Sequence, residues 1–234
     1  MEKYIIEANA VSKIYPMPSG EEFYALRNVS VKIPENKLTI LRGRSGSGKT
    51  TLMNMLCALD KVSEGKVLFD GKDITEMDDD ACSLMRRDNI GFVFQSVALI
   101  PMMTAYENVE FSLRLNNYKG DMHERVMECL KMVGLAGRAG HLPEELSGGE
   151  QQRVAIARAI AHKPKVIFAD EPTAELDSKT GLQVVKIFKD LVKEEGNTIV
   201  MTTHDVGFME IGDMVYELSD GQVLSTYING KEVK

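Results

Sequence analysis

Apolar runs of four to six residues alternate along this chain with stretches whose apolar positions recur every three or four residues, which predicts buried strands and amphipathic helices in turn. Lys37-Leu38-Thr39-Ile40-Leu41 reads as a short buried strand, and Thr50 to Leu59 carries Leu52, Met53, Leu56 and Leu59 at helical spacing. A second strand at Val166 to Asp170 precedes a helix from Ser178 to Glu195 and a strand from Thr198 to Thr203 that ends at His204. Tyr4 to Val11 and Ala25 to Ile33 read as an antiparallel, hairpin-like pair around a turn marked by Pro16, Pro18, Ser19 and Gly20. Gly65 to Gly71 and Ile90 to Gln95 are further short strands, and Met214 to Leu218 and Gln222 to Thr226 form a pair across Ser219-Asp220-Gly221. From about Ser96 to His162 the rhythm is helical, in Glu107 to Leu115, His123 to Val133 and Val154 to Ala159. That stretch is too long for a plain connection and predicts a helical insertion. Strands alternating with helices imply an α/β fold with a mainly parallel core sheet.

Between the first core strand and its helix lies Gly43-Arg44-Ser45-Gly46-Ser47-Gly48-Lys49-Thr50, which fits the phosphate-loop pattern G-x-x-x-x-G-K-[ST] at every fixed position. Glycines let such a loop wrap a phosphate chain so that backbone N–H groups and the positive helix end face the anion. Lys49 is then placed to reach the β- and γ-phosphates, and the Thr50 hydroxyl to ligate Mg²⁺.

Transfer of a γ-phosphoryl group needs a metal-holding carboxylate at the end of another buried strand. Asp170 ends Val166-Ile167-Phe168-Ala169, and Glu171 beside it is placed to polarise an attacking water. His204 and Gln95 also end apolar runs, at the strand edge where ligands of open α/β sheets gather, which favours contacts to the γ-phosphate. His123, His141 and His162 fall on helical or loop stretches and read as structural. Leu146-Ser147-Gly148-Gly149-Glu150-Gln151-Gln152-Arg153 opens a helix; Ser147 can cap it, and Gly148 and Gly149 let N–H groups approach a second anion.

Taken together, these motifs resemble the nucleotide-binding domain of the ATP-binding-cassette (ABC) ATPases, and the resemblance runs from end to end. Gly43 to Thr50 resembles the Walker A loop, Val166 to Asp170 with Glu171 the Walker B strand and catalytic glutamate, Gln95 the Q-loop, Leu146 to Arg153 the signature, Ala174 to Asp177 the D-loop and His204 the switch histidine. Tyr15 matches the aromatic residue that stacks on adenine. The resemblance implies a P-loop NTPase core with an antiparallel β subdomain and a helical subdomain. It places all 234 residues in one ATP-binding domain, about 1–95 and 163–234 forming the core and β subdomain and about 96–162 the helical part. It implies ATP and Mg²⁺ as cofactors: Tyr15, Gly43 to Thr51, Ser147, Gly148, Gly149 and Asp177 would touch nucleotide, and Thr50, Gln95 and Asp170 the metal. Lys49, Gln95, Glu171 and His204 would be catalytic, and a second copy packed head to tail would bring its Ser147 and Gly149 to the ATP of the first.

Arg86-Arg87, Ile90 to Gln95, Leu99, Pro101, Thr104 and Glu107-Asn108-Val109 resemble the cassettes of macrolide-export, lipoprotein-release and antimicrobial-peptide-resistance systems, while Ala174-Glu175 departs from their usual Gly-Asn. Such a cassette would power a separate membrane permease from the inner face of the cell membrane, with Met102, Met103 and Tyr106 as soft lining for the permease's coupling helix.

Composition narrows the partners. A net charge of −7 disfavours a general nucleic-acid binder, so an ABC ATPase acting on nucleic acid or ribosomes is the alternative reading. Cys57, Cys82 and Cys129 form no C-x-x-C pair and fit buried thiols in a reducing compartment. No secretory signal is expected, and the most apolar stretch, Ile90 to Tyr106, is broken by Gln95, Ser96, Pro101 and Thr104, short of the ~20 apolar residues of a spanning helix. Asp78-Asp79-Asp80 suits the positive start of a helix.

Overall fold

The computed structural model describes residues 3–18 and 20–233, so Ser19 of the expected turn lies outside the described residues. The chain divides into two compact units, residues 1–84 with 198–234, and residues 85–197.

In the first unit, β1 (Tyr4–Pro16) and β2 (Glu22–Pro34) pair antiparallel, and with β4 (Glu64–Phe69) and β5 (Lys72–Asp73) they form a sheet in the order β2-β1-β4-β5. The first two strands run farther than their apolar alternation predicts, because Lys13 is buried in β1 with its ammonium on Asp60 Oδ1 (2.7 Å) and the Lys61 carbonyl (2.7 Å). A second set of strands centres on β3 (Leu38–Gly43), flanked on both sides by parallel neighbours, β8 (Thr198–Thr203) and β9 (Met214–Ser219). Leu38, Ile40 and Leu41 are fully buried and so are Ile199, Val200 and Met201, the continuous apolar runs of strands covered on both faces. Antiparallel β10 (Gln222–Ile228) and β11 (Lys231–Val233) extend this sheet beyond β9. Helix α1 (Lys49–Leu56) packs its buried Leu52, Met53, Met55 and Leu56 against strands of both sheets. It stops three residues short of Leu59, in a turn closed by the Cys57 N–H on the Met53 carbonyl (3.1 Å).

Helix α2 (Asp79–Asn89) bridges the boundary in sequence; the Asp78 carboxylate accepts from the Ala81 N–H (2.7 Å), so the acidic triplet does begin a helix.

In the second unit, β6 (Ile90–Val93) and β7 (Val166–Ala169) are parallel neighbours, and α3 (Ala105–Leu115), α4 (Met122–Met132) and α5 (Gly148–Ile160) pack together, α5 also against β6 and α6 (Ser178–Glu195). Each of these helices starts on a hydroxyl or carboxylate cap, Thr104, Asp121, Ser147 and Asp177, of which Ser147 is the one expected from sequence. Gly196, at φ 67°, ends α6. Arg125 of α4 is buried, and its Nε and Nη2 donate to the Ala161 and Ile160 carbonyls (2.9 Å each), satisfying the end of α5, while Nη1 meets Glu128 (2.6 Å). Arg125→Ala strips two charge-assisted hydrogen bonds from buried carbonyls and is expected to cost about 3 kcal/mol. Urea unfolding should show a lower midpoint at unchanged slope; an unchanged midpoint would mean that water replaces the guanidinium at no cost.

Candidate functional site

In the first unit β3 ends at Gly43 and α1 starts at Lys49, so residues 44–48 form the strand-to-helix loop that the pattern requires. Two glycines are dictated by close approach. A Cβ on Gly43 would strike the Leu218 carbonyl and Ser47 Oγ, and Gly48, at φ 98°, would place one 2.9 Å from the Ala25 carbonyl. The loop is braced from behind: Ser47 N–H donates to the Arg44 carbonyl (3.1 Å), Gly221 N–H to the Ser47 carbonyl (3.2 Å) and Arg27 N–H to the Gly221 carbonyl (2.8 Å).

Lys49 is only 4% exposed, and its ammonium curls back onto the Gly43 (2.9 Å) and Arg44 (3.1 Å) carbonyls, which holds a cation over the loop. No side chain caps α1, unlike the capped starts of α3 to α6, and no acidic residue stands in its first turn. Ser47 Oγ is buried without a hydrogen-bond partner. A concave loop with a held cation, an orphaned hydroxyl and uncapped N–H groups fits a phosphate chain. Thr50 is exposed and Thr51 half-buried at the helix start. Because Arg42 of β3 pairs with Thr203 of parallel β8, Gly43 and His204 leave the sheet side by side.

Tyr15 lies at the end of β1, paired across the sheet with Phe23, and both rings are exposed, at 40% and 54%. The Tyr15 hydroxyl donates to Asp60 Oδ2 (3.1 Å), and Lys13 Nζ sits 5.1 Å from the ring centroid. One ring face is therefore fixed against a cation while the side chain stays accessible.

The second unit gathers the carboxylates. The Asp170 N–H donates to the Val93 carbonyl (2.9 Å), so Phe94-Gln95 and Asp170-Glu171 leave parallel β6 and β7 at the same end. Strand β6 stops at Val93, which leaves Gln95 in the following loop, exposed. Asp170 and Glu171 are half-buried, and Glu171 takes a left-handed backbone at φ 41°, a conformation that persists in a non-glycine residue where the surroundings enforce it.

At the start of α5, Ser147 Oγ accepts from the Glu150 N–H (3.3 Å) while Glu150 Oε2 accepts from the Ser147 N–H (2.9 Å) and hydroxyl (2.8 Å), a complete capping box. The Ser147 backbone N–H and hydroxyl hold the Glu150 carboxyl below its ordinary pKa. Gly148 is exposed. Gly149 has no room for a side chain, since a Cβ would strike Thr180 Cγ2. Thr180 also donates its hydroxyl to Asp177 Oδ2 (2.6 Å), so Gly149 and Asp177 meet around one threonine. Asp177 Oδ1 accepts from the Lys179 and Thr180 N–H groups, which makes it the cap of α6.

Among the described residues no group of three or more His, Cys, Asp or Glu side chains is placed to hold a metal ion by itself. The hydroxyl of Thr50, the amide oxygen of Gln95 and the carboxylate of Asp170 are hard oxygen donors of the kind Mg²⁺ takes when it shares its shell with phosphate. Three further residues bear on the site without having been singled out from sequence as functional: Glu150, inside the Leu146–Arg153 stretch, Asn108, inside Glu107-Asn108-Val109, and Arg158. Only Glu150 left a local signal, the Ser-x-x-Glu spacing of a capping box.

The family described as ABC transporter matches residues 26–174, well over half the chain. An ABC transporter ATP-binding protein of Methanocaldococcus jannaschii is 47% identical over 226 residues, 94% of this chain and 95% of that protein. This chain belongs to the ABC transporter family. The ABC fold is equally clear in three dimensions. A dimeric ATP-binding cassette solved in a post-hydrolysis state with ADP and Pi superposes with a TM-score of 0.86 at 43% identity, covering 96% of this chain and 98% of that one. The macrolide export ATP-binding/permease protein MacB of Agrobacterium fabrum is 39% identical over 227 residues, 96% of this cassette but 35% of the longer relative. The cassette is thus an ATP-binding ABC ATPase, as its motifs imply, and among its described residues no helix is long and apolar enough to cross a membrane.

Proposed function

We propose that this cassette is the ATP-hydrolysing subunit of a membrane export or extraction complex, acting as one ATP-binding domain in a head-to-tail homodimer on the cytoplasmic face of the membrane. The observation that carries the reading is the relative in which a sequence 39% identical to this one is joined to a permease in a single export protein. The dimeric relative supports the pairing of two copies.

In this reading Gly43 to Thr51 cradle the phosphates and Tyr15 carries the adenine. Thr50, Gln95 and Asp170 would hold Mg²⁺, which would supply positive charge against the phosphates. Glu171 takes the proton of the attacking water, His204 and Gln95 address the γ-phosphate, and Ser147, Gly148 and Gly149 of one copy close on the ATP of the other, with Asp177 beside them.

The permease contact has a natural seat in the second unit, a cavity of about 380 Å³ whose walls include Phe92, Phe94, Ile100, Phe111 and Leu115. Phe94, Phe111 and Leu115 are exposed there, as an apolar helix of a membrane subunit requires. Met102, Met103 and Tyr106 do not line it: Met102 is 89% exposed, and Tyr106 faces His123, with ring centroids 5.5 Å apart.

Affinity purification of the tagged chain from detergent-solubilised membranes tests the reading. An integral membrane protein should copurify in fixed ratio and change ATP turnover severalfold. Copurification of ribosomes or nucleic acid instead would overturn the export reading in favour of a non-transport ATPase.

A further inference from the structure

We infer that Arg158 is a positioning residue for hydrolysis, fastening the loop that follows Gln95 to the same helix, α5, whose N-terminus carries Ser147. The inference rests on the proposed role of Gln95. Arg158 lies about 16 Å along the helix axis from Ser147. Its Nη1 donates to the Ala98 carbonyl (2.6 Å) and its Nη2 to the Val97 carbonyl (3.3 Å). Val97 and Ala98 both hold left-handed backbone, at φ 37° and 50°, and the Ala98 N–H turns back onto the Ser96 carbonyl. For β-branched Val97 that conformation is a true outlier, which persists only where the surroundings impose it. A planar guanidinium can address two successive carbonyls at once, which a lysine ammonium on a flexible stem does far less well. Arg158 is itself set in place, because its own carbonyl accepts the Ser112 hydroxyl of α3 (3.0 Å).

The far end of the same loop is pinned independently. Asn108 of α3, with no exposed surface, accepts from the Ile100 N–H (2.8 Å) and donates to the Ile100 (3.2 Å), Met103 (2.8 Å) and Thr104 (3.0 Å) carbonyls. Residues 97–104 are therefore clamped between α5 and α3, and Gln95 enters the clamp two residues upstream. A shift of α5 on engaging the other copy's nucleotide is transmitted to Gln95 through the guanidinium. Gripping one ATP thereby aligns the residue that serves the other.

The test is a double-mutant cycle on the full chain. Alone, Arg158→Met and Arg158→Lys should each lower kcat about tenfold with KM for ATP within about twofold, since a small misplacement at a reacting centre acts on turnover. In a Gln95→Ala background the same substitutions should change kcat by less than about twofold, because they act through a group already removed. Active protein is counted by stoichiometric ATP binding, and Arg158→Lys carries the test should Arg158→Met fail to fold. A purely structural role lowers the melting temperature and leaves turnover per folded molecule unchanged; that result, or additive losses in the cycle, overturns the proposal while Gln95 keeps its role. Full activity in Gln95→Ala itself overturns the Gln95 assignment and the proposal with it.

Discussion

Glu171→Gln should bind ATP normally and turn it over at least about a hundredfold more slowly, the loss typical when a positioned general base is removed. The substitution keeps the size of the side chain and removes its ability to take a proton. It also leaves in place the features that set the residue: Ala169 at the end of β7, the Asp170 N–H on the Val93 carbonyl and the left-handed φ of 41°. With hydrolysis blocked and binding intact, the closed pair has no route to open, so an ATP-dependent species of twice the mass should accumulate on a sizing column. Turnover within a factor of two of the parent would remove Glu171 from the reaction. Slow turnover without the larger species would keep Glu171 and overturn the nucleotide-driven pair.

The second large effect is on binding. Lys49→Ala should weaken ATP about a hundredfold, as befits the loss of a desolvated cation that in the proposed site would make charge-assisted bonds to two phosphates. Its ammonium now rests on the Gly43 and Arg44 carbonyls, so an arriving phosphate inherits a cation already in place instead of recruiting one from solvent. Titration calorimetry with ATP on a variant that melts with the parent protein measures the loss. Undiminished affinity would mean that the triphosphate lies elsewhere than on residues 43–50.

Much of the core was legible because its punctuation is local. Helix α6 and strand β8 begin and end where the spacing places them, since Asp177 caps the helix, Gly196 stops it and all six residues of β8 are buried. The strands that escaped notice, β5 at Lys72–Asp73 and β11 at Lys231–Val233, are short and polar; backbone pairing with a neighbour makes them strands, and no alternation of side chains announces it. The extension of β1 through Ser12 and Lys13 was hidden for a related reason, because Lys13 is buried through Asp60, distant in sequence.

The site divides along the same line. The phosphate loop, the Asp170-Glu171 pair and the Ser147 helix start are contiguous segments whose chemistry and spacing sit in a few neighbouring residues. Arg158 and Asn108 act on backbone carbonyls and amides of a remote loop, and a backbone acceptor leaves no residue type to read. The apolar lining at Phe92, Phe94, Phe111 and Leu115 was likewise scattered over a strand, the loop after it and a helix, and the methionines that looked suited to it lie outside it.

The bare start of α1 has a thermodynamic consequence. Its sister helices carry a hydroxyl or carboxylate of their own at that position, so they are finished when the chain has folded. In the proposed site this one is finished by its guest. A nucleotide at a hundred times its dissociation constant adds about 2.7 kcal/mol to the folded state by mass action alone. The emptied enzyme, between one turnover and the next, is therefore also the moment at which the polypeptide is easiest to unravel.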